Sequence, residues 1–174
     1  MNIESTIESS TYGKLAVGDL FIVGIKNGQL LVGMKVETQG DASPNRSILE
    51  FRDDAAAPVM MSERFNGSSD IVGKLKNFAI VVQPGKGDFL FDPADARRQT
   101  PGCIHISDDN VFLVTEMHET LYSVNLKTGK GIQGTRRDVI GVPRWQLVET
   151  VGDKKNVWVD FEVPNQRLVK KGAA

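Results

Sequence analysis

The sequence predicts a mainly β protein, either an antiparallel β-sandwich or a partly open β-barrel, with roughly eight to ten strands and one or two short helices. Asn27-Gly28 separates two apolar runs, which indicates a hairpin because a type I′ turn needs positive φ at both central residues. A second hairpin is predicted further on, and residues 156–163 alternate apolar and polar side chains. Such alternation is typical of an antiparallel sheet with one buried and one wet face.

Length and composition fit one ordinary globular domain. The chain has 174 residues, a net charge of -1, 40% hydrophobic residues and 25% charged residues. We expect an N-terminal arm or loop over residues 1–14, a single β-rich domain over 15–165 and a C-terminal tail over 166–174. The balanced charge gives no global basic field for nucleic acid or anionic membrane, although a local patch stays open.

The polar, acidic N-terminus, M-N-I-E-S-T-I-E-S-S, has neither the basic nor the apolar region of a signal peptide. No apolar run approaches the roughly 20 residues that span a bilayer. The single cysteine, Cys103, weakly favours a reducing compartment. We therefore expect a cytoplasmic protein, or one carried in a particle assembled in the cytoplasm, with no membrane partner.

The first hairpin covers Asp19 to Glu37. A two-residue turn at Asn27-Gly28 places Val23 opposite Val32 and Ile25 opposite Leu30. One face of the second strand would then carry Leu30, Val32, Met34 and Val36.

The middle of the chain is less regular. Short strands are predicted at Ser47 to Phe51 and at the apolar run Phe78 to Val82. Ser69-Asp70 could cap one or two helical turns that extend through Lys76. Asp92-Pro93 would begin a short helix that continues to Gln99.

The last third gives the clearest strand signals. Val111 to Glu116 and Thr120 to Leu126 form the second hairpin, around Met117-His118-Glu119, and Trp145 to Thr150 forms another strand. In the alternating segment, Val157, Val159, Phe161 and Val163 would be buried, with Trp158 on the opposite, polar face.

No catalytic, cofactor-binding or metal-ligating residues are predicted, and hence no cofactor. Gly129 to Gly134 spells G-x-G-x-x-G, but the residues that follow do not form a helix to bind pyrophosphate, so we interpret the segment as an inter-strand loop. His118 is expected in an exposed turn. Cys103 and His105 are interpreted as a half-buried cysteine and a hydrogen-bonded histidine. The acidic clusters are interpreted as turn or helix-start residues: Asp53-Asp54, Asp92/Asp95 and Asp108-Asp109.

Basic and aromatic side chains near residues 136–158 form the candidate contact surface. Arginine beside an exposed aromatic ring can bind phosphate or stack on a base or on a partner's ring. Tryptophan on a polar strand face either packs under a loop or marks a contact. The residues are Arg136, Arg137, Arg144, Trp145 and Trp158.

Three functions follow as expectations. The first is a non-enzymatic binding or assembly subunit that acts through surface loops, by self-association or with a protein partner, such as a structural component of a viral or similar particle. The second is a nucleic-acid- or small-ligand-binding β-barrel that uses the Arg136–Trp145 region. The third is an enzyme whose site is assembled from distant residues.

Overall fold

A computed structural model describes residues 6–24, 30–39, 45–52, 57–62, 70–83, 99–135 and 139–163. The prediction of a mainly β protein is confirmed: 69% of the structure is strand and 3% is helical. The described residues form fourteen strands, more than predicted. They are β1 (Ile7–Thr11), β2 (Leu20–Gly24), β3 (Leu30–Thr38), β4 (Asn45–Phe51), β5 (Val59–Ser62), β6 (Ile71–Leu75), β7 (Phe78–Val82), β8 (Ile104–Ser107), β9 (Asn110–Met117), β10 (Thr120–Asn125), β11 (Lys130–Gln133), β12 (Ile140–Val142), β13 (Arg144–Val151) and β14 (Lys154–Glu162).

Six strands close into a barrel in the order β3-β11-β10-β9-β5-β4, and β4 pairs back with β3. The contacts β11–β3 and β5–β9 are parallel, whereas the other barrel pairings are antiparallel. The predicted barrel is therefore closed rather than partly open. Closure pairs strands that would otherwise expose free edges.

Side chains occupy the barrel interior. Five strands contribute buried apolar residues: Met34, Val36, Leu49, Met60, Leu113 and Val124. The sixth strand contributes Gly131, where an added Cβ would lie 2.9 Å from Thr38 Cγ2. A barrel of this size is filled by its own residues.

Further strands extend the barrel. β2, β6 and β1 continue outward from β3, while β8 pairs with β9 and β12 pairs with β8. A second sheet, in the order β7-β13-β14, packs on the barrel through one shared core cluster. Trp145 of the second sheet contacts Phe51 of the barrel edge-on, with ring centroids 6.0 Å apart, and stacks on Phe161 at 5.4 Å.

The first hairpin exists, but its predicted register is wrong by one residue. Ile22 lies opposite Val32, and Val23 lies opposite Leu31; the predicted turn lies outside the described residues. The observed register puts Phe21 opposite Gly33, whose missing side chain leaves room for the Phe21 ring: an added Cβ would be 3.0 Å from Phe21 Cζ. Because both faces of β3 are covered, burial on one face alone could not fix the register.

The predicted helical turns from Ser69 to Lys76 are wrong, because Ile71–Leu75 form strand β6 between β1 and β2. Gly73 permits this close pairing, since an added Cβ would approach Ile7 Cγ2 to 2.5 Å and Ile22 Cγ2 to 2.8 Å. Non-local pairing thus overrides the local capping signal. A helix was also predicted from Asp92 to Gln99, and all of it except Gln99 lies outside the described residues.

The predicted N-terminal arm is also corrected. Ile7–Thr11 form β1, and Tyr12–Lys14 form a single 3-10 turn with Tyr12 1% exposed. The buried Lys35 ammonium secures this turn by donating to the carbonyl oxygens of Tyr12 at 3.3 Å and Leu15 at 2.9 Å. It also lies 4.9 Å from the centre of the Tyr12 ring.

The segment predicted as an inter-strand loop at Gly129 to Gly134 instead contains strand β11, Lys130–Gln133. Gly129 enters it with φ +67° against the backbone of Gly18, where a side chain would collide. These glycines serve a turn and a close backbone approach, and the residues at the fingerprint's second to fifth positions are strand rather than helix.

The second hairpin is confirmed. β9 and β10 pair from Met117 opposite Thr120, leaving His118 and Glu119 as a two-residue turn. Their φ angles are +49° and +62°, the left-handed region that a type I′ turn requires.

Candidate binding cleft

The predicted contact surface divides into three parts. Arg136 and Arg137 lie outside the described residues. Trp145 was expected as an exposed aromatic, and this is wrong: it is 0% exposed, and its indole Nε1–H donates to the Gly102 carbonyl at 2.8 Å. A tryptophan on a strand that is covered by a second layer is a core residue, whatever basic residue precedes it.

Arg144 lies on the outer face of the second sheet, paired with Asp160 at 3.2 Å. The hydrogen bond from Arg144 lowers the pKa of Asp160, and Asp160 in turn raises the pKa of Arg144. Glu162 is directly opposite Arg144 across the strands. The guanidinium therefore already has an acidic partner, which makes it a weaker phosphate ligand than a free arginine would be.

Trp158 is half-buried on the core side of the second sheet rather than on its polar face. A β-bulge between Leu147 and Val148 leaves it without a partner in the strand register, and its ring packs edge-on against Phe78 at 5.1 Å. The extra residue of a bulge redirects the side chain. Of the predicted buried face, Val159 and Phe161 are buried, whereas Val157 is 52% exposed.

The other candidate groups occupy structural positions. Cys103 and His105 are both 0% exposed, so Cys103 is more deeply buried than predicted. Asp108 lies exposed in the β8–β9 turn with φ +47°, as expected for a turn residue. Within the part of the chain that the structure describes, no group of three or more His, Cys, Asp or Glu side chains could hold a metal ion.

A cleft of about 660 Å³ opens on the outside of the barrel, where β4, β5 and β9 meet. Its lining combines apolar side chains with two carboxylates, an arginine and a histidine. The residues are Glu50, Arg52, Ala57, Pro58, Val59, Met60, Met61, Ser62, Pro101, Glu116, Met117 and His118.

Strand pairing sets the spacing of the two cleft carboxylates. Val59 lies opposite Glu50 on one side and opposite Glu116 on the other. Since neighbouring strands are about 4.8 Å apart, the backbones of the two glutamates are separated by about 10 Å, with Val59 between them. The cleft floor is thus apolar and bracketed by acids.

The two carboxylates differ in their surroundings. Glu50 lies 3.8 Å from the Arg52 guanidinium, and its side chain is 20% exposed. Glu116 is exposed, and among the described residues it has no ion pair. Glu116 is therefore the carboxylate most accessible to a cationic group of a ligand.

His118 reaches the cleft from the left-handed turn at the tip of β9–β10. A histidine followed by a glutamate is an unfavourable choice for a type I′ turn, where Asn-Gly is strongly preferred. Non-glycine residues held at positive φ cost of order 1–3 kcal/mol and cluster at functional sites. The energetic cost of this turn therefore falls at one end of the cleft.

The sequence prediction located His118 in its exposed turn but missed the cleft. The sequence patterns predict no strand between Phe51 and Phe78, although Val59–Ser62 form β5, the floor strand. Met60-Met61 followed by Met117-His118 was the available signal, because methionine is common at adaptable binding surfaces. The parallel contact that joins β5 to β9 could not be read from either segment alone.

Comparisons of the chain with protein-family models, curated proteins and solved structures found no match. Over the described ranges, every helix is too short or too polar to traverse a lipid bilayer.

Proposed function

We propose that this protein is a non-enzymatic binding subunit that holds an extended segment of a protein partner in the cleft between Glu50 and Glu116. The observation that carries this proposal is the cleft itself: an apolar floor bracketed by two carboxylates on the outside of a barrel whose interior is filled.

The shape and lining of the cleft favour a peptide segment. Its volume of about 660 Å³ lies within the range of ligand sites. Met61 and Met117 are half-buried, so an incoming apolar side chain would remove further apolar surface from water. Methionine side chains adapt to irregular partners, which suits a protein segment better than one rigid small molecule.

The charges favour a basic residue in that segment. Arg52 is offset by Glu50, whereas Glu116 has no cation beside it among the described side chains. A lysine or arginine between the two glutamates would complement them, and complementary charges set specificity and register.

A random peptide library displayed on phage tests this function with the full chain as bait. Enriched peptides should carry a basic residue beside an apolar one, and they should bind Glu116→Lys about tenfold or more weakly, a change worth ~1.4 kcal/mol per factor of ten. The matched control is Glu162→Lys, which reverses an exposed charge on the other sheet and should bind as the native chain does. Failure to enrich any peptide, or equal binding by Glu116→Lys, would count against the proposal.

The other expected functions stay predictions. Self-association, including a structural role in a viral or similar particle, predicts a stable oligomer by light scattering, and a monomer at high micromolar concentration would contradict it. Nucleic-acid binding through the Arg136–Trp145 region predicts an affinity that falls steeply with salt. Of that region, Arg144 is already paired and Trp145 is buried, so the described part adds little support.

A further inference from the structure

We propose that the free edge of β14 pairs with the same edge of a second copy of this chain, in an antiparallel two-fold arrangement that sets Lys155 opposite the partner's Glu162. The interface lies on the second sheet, and none of the described residues that line the cleft belongs to β14. It is therefore independent of the proposed peptide site and goes beyond it.

β14 forms an open edge of the second sheet. Among the described strands it pairs with β13 alone, over the nine residues Lys154–Glu162. An unpaired strand edge is a template for a strand of another chain. The side chains that face away from the barrel along this edge are all exposed: Lys155, Val157, Asp160 and Glu162.

The hydrogen bonds of β13 show which backbone groups point outward from β14. Gln83 donates its N–H to the Arg144 carbonyl at 3.0 Å. Thr150 donates its N–H to the Asn77 carbonyl at 2.9 Å, so the even-numbered residues of β13 bond to β7 and the odd-numbered ones to β14. Those odd-numbered residues lie opposite Lys154, Asn156, Val159 and Phe161. The N–H and C=O groups that point outward therefore belong to Lys155, Val157, Asp160 and Glu162.

The bulge at Trp158 decides which strand can pair with this edge. It shifts the outward groups from odd-numbered to even-numbered residues, so a regular strand in phase before the bulge would be out of phase after it. A second β14 carries the same shift. Only one antiparallel register aligns all the outward groups: Lys155 lies opposite the partner's Glu162, and Val157 lies opposite the partner's Asp160. A second copy thus fits this edge better than an unrelated strand.

The charges agree with that register. Lys155 meets the partner's Glu162, and the two-fold axis repeats the pair at the other end of the interface. Lys155 has no ion pair among the described residues, whereas Asp160 keeps Arg144 of its own chain. Opposite charges directly across two strands stabilise their pairing, and like charges destabilise it. The lysine therefore favours a strand that carries an acid at the matching position.

Charge reversal in the full chain tests the interface, with sedimentation velocity measuring the dissociation constant of the dimer. Lys155→Glu and Glu162→Lys should each raise that constant at least about tenfold, because symmetry makes both ends of the interface repulsive. The matched control is Lys127→Glu, which reverses an exposed charge in the turn before β11 and should dimerise as the native chain does. Circular dichroism checks that every variant stays folded.

An equal mixture of the two variants is the most specific sample. The Lys155→Glu chain has two acidic ends on its β14 edge and the Glu162→Lys chain has two basic ends, so the mixture should regain dimers of nearly native affinity. A native chain that is monomeric at high micromolar concentration would overturn the inference. So would a dimer that neither reversal weakens, or a mixture that stays monomeric.

Glu116→Lys separates this interface from the cleft. It reverses a cleft charge, so it should weaken peptide binding under the proposed function and leave the dimer intact. Loss of the dimer in Glu116→Lys would place the interface at the cleft and overturn the assignment to β14. Failure to select any peptide would reject the proposed function alone, because the dimer is measured without a peptide.

Discussion

Trp158 donates its indole Nε1–H to the Glu149 carboxylate at 3.1 Å. The same carboxylate accepts hydrogen bonds from Asn156 Nδ2 at 3.2 Å and from the Thr6 hydroxyl. Glu149 is 8% exposed and belongs to the second sheet, whereas Thr6 directly precedes β1 of the barrel extension. One acidic side chain thus joins two sheets, and Trp158, predicted as a contact residue, has a structural partner.

Replacing Glu149 with alanine should lower the free energy of unfolding by about 1–3 kcal/mol, because it removes the charged acceptor of three part-buried hydrogen bonds. Urea denaturation monitored by circular dichroism measures the change. Glu116→Ala is the matched control, since an exposed substitution usually moves stability by less than about 0.5 kcal/mol. Equal effects of the two variants would show that the Glu149 hydrogen bonds contribute little.

Acid should weaken the native protein through the same carboxylate. Hydrogen bonds, first from Thr6 and then from Trp158 and Asn156, lower the pKa of Glu149 below its ordinary 4.5 despite its burial. A lowered folded-state pKa means that this stabilisation is complete above the unfolded-state pKa and is lost as the pH falls through the folded value. On acidification from pH 5 to strongly acidic conditions, the free energy of unfolding should therefore fall less in Glu149→Gln than in the native chain. Urea titrations of both chains at each pH measure this difference.

Gly102→Ala should be much more destabilising than Gly134→Ala. Both glycines have positive φ, +94° and +89°, so each alanine adds similar backbone strain. Only at Gly102 would the methyl group overlap the Phe161 ring, while nothing lies within 4 Å at Gly134. We expect an extra loss of about 1–3 kcal/mol for Gly102→Ala from overpacking. Matching unfolding midpoints would show that the ring moves aside without cost.

Lys35→Met should loosen the N-terminal turn. Methionine keeps a long apolar stem but removes the ammonium that donates to the carbonyls of Tyr12 and Leu15. A hydrogen bond that involves a charged group contributes about 1.5–3 kcal/mol to stability. We therefore expect the free energy of unfolding to fall by at least about 2 kcal/mol. Native-state hydrogen exchange should show faster exchange at Leu15, whose N–H donates to the Tyr12 carbonyl. Unchanged protection at Leu15 would contradict this account.

Removal of the Arg144 guanidinium should be visible at Asp160. The hydrogen bond from Arg144 is the main cause of the lowered pKa of Asp160, so Arg144→Met should raise that pKa toward the ordinary aspartate value. A carboxyl-carbon NMR titration of the native and variant chains measures the shift directly. An unchanged Asp160 titration would mean that the pair does not persist in solution, leaving the Arg144 side chain free for a ligand.

Local patterns predicted the parts of the fold whose signals are local. The β9–β10 hairpin and the strand Phe78–Val82 follow from apolar runs and turn positions within a few residues. The prediction of helical turns at β6 was wrong because Ser69-Asp70 resembles a helix cap. The strand forms because it pairs with β1 and β2, which are distant in sequence. The predicted register of β2 and β3 was wrong because Phe21 packs over Gly33. This is a contact between two strands, and the residue preferences of the turn do not reveal it.

The expected placements of Trp145 and Trp158 were wrong for a related reason. Arg144 and Trp145 are neighbours in sequence, but neighbouring strand residues point to opposite faces. One therefore lies outside with Asp160, and the other lies in the core against Phe51. At Trp158 a β-bulge interrupts the alternation of side chains between the two faces of the strand. An alternating sequence pattern does not reveal such a bulge. The cleft depends on the pairing of β5 with β9, in which Val59 lies opposite Glu116, 57 positions further along the chain.

We infer that the cleft at β4, β5 and β9 is the binding surface of this protein. Backbone amide NMR shifts of the full chain, recorded while a library-selected peptide is added, test it most directly. We expect the largest shifts at Val59–Ser62 and at Glu116 to His118, and we expect these shifts to shrink in Glu116→Lys. Shifts centred instead on the outer face of β13 and β14, around Arg144 and Asp160, would contradict it.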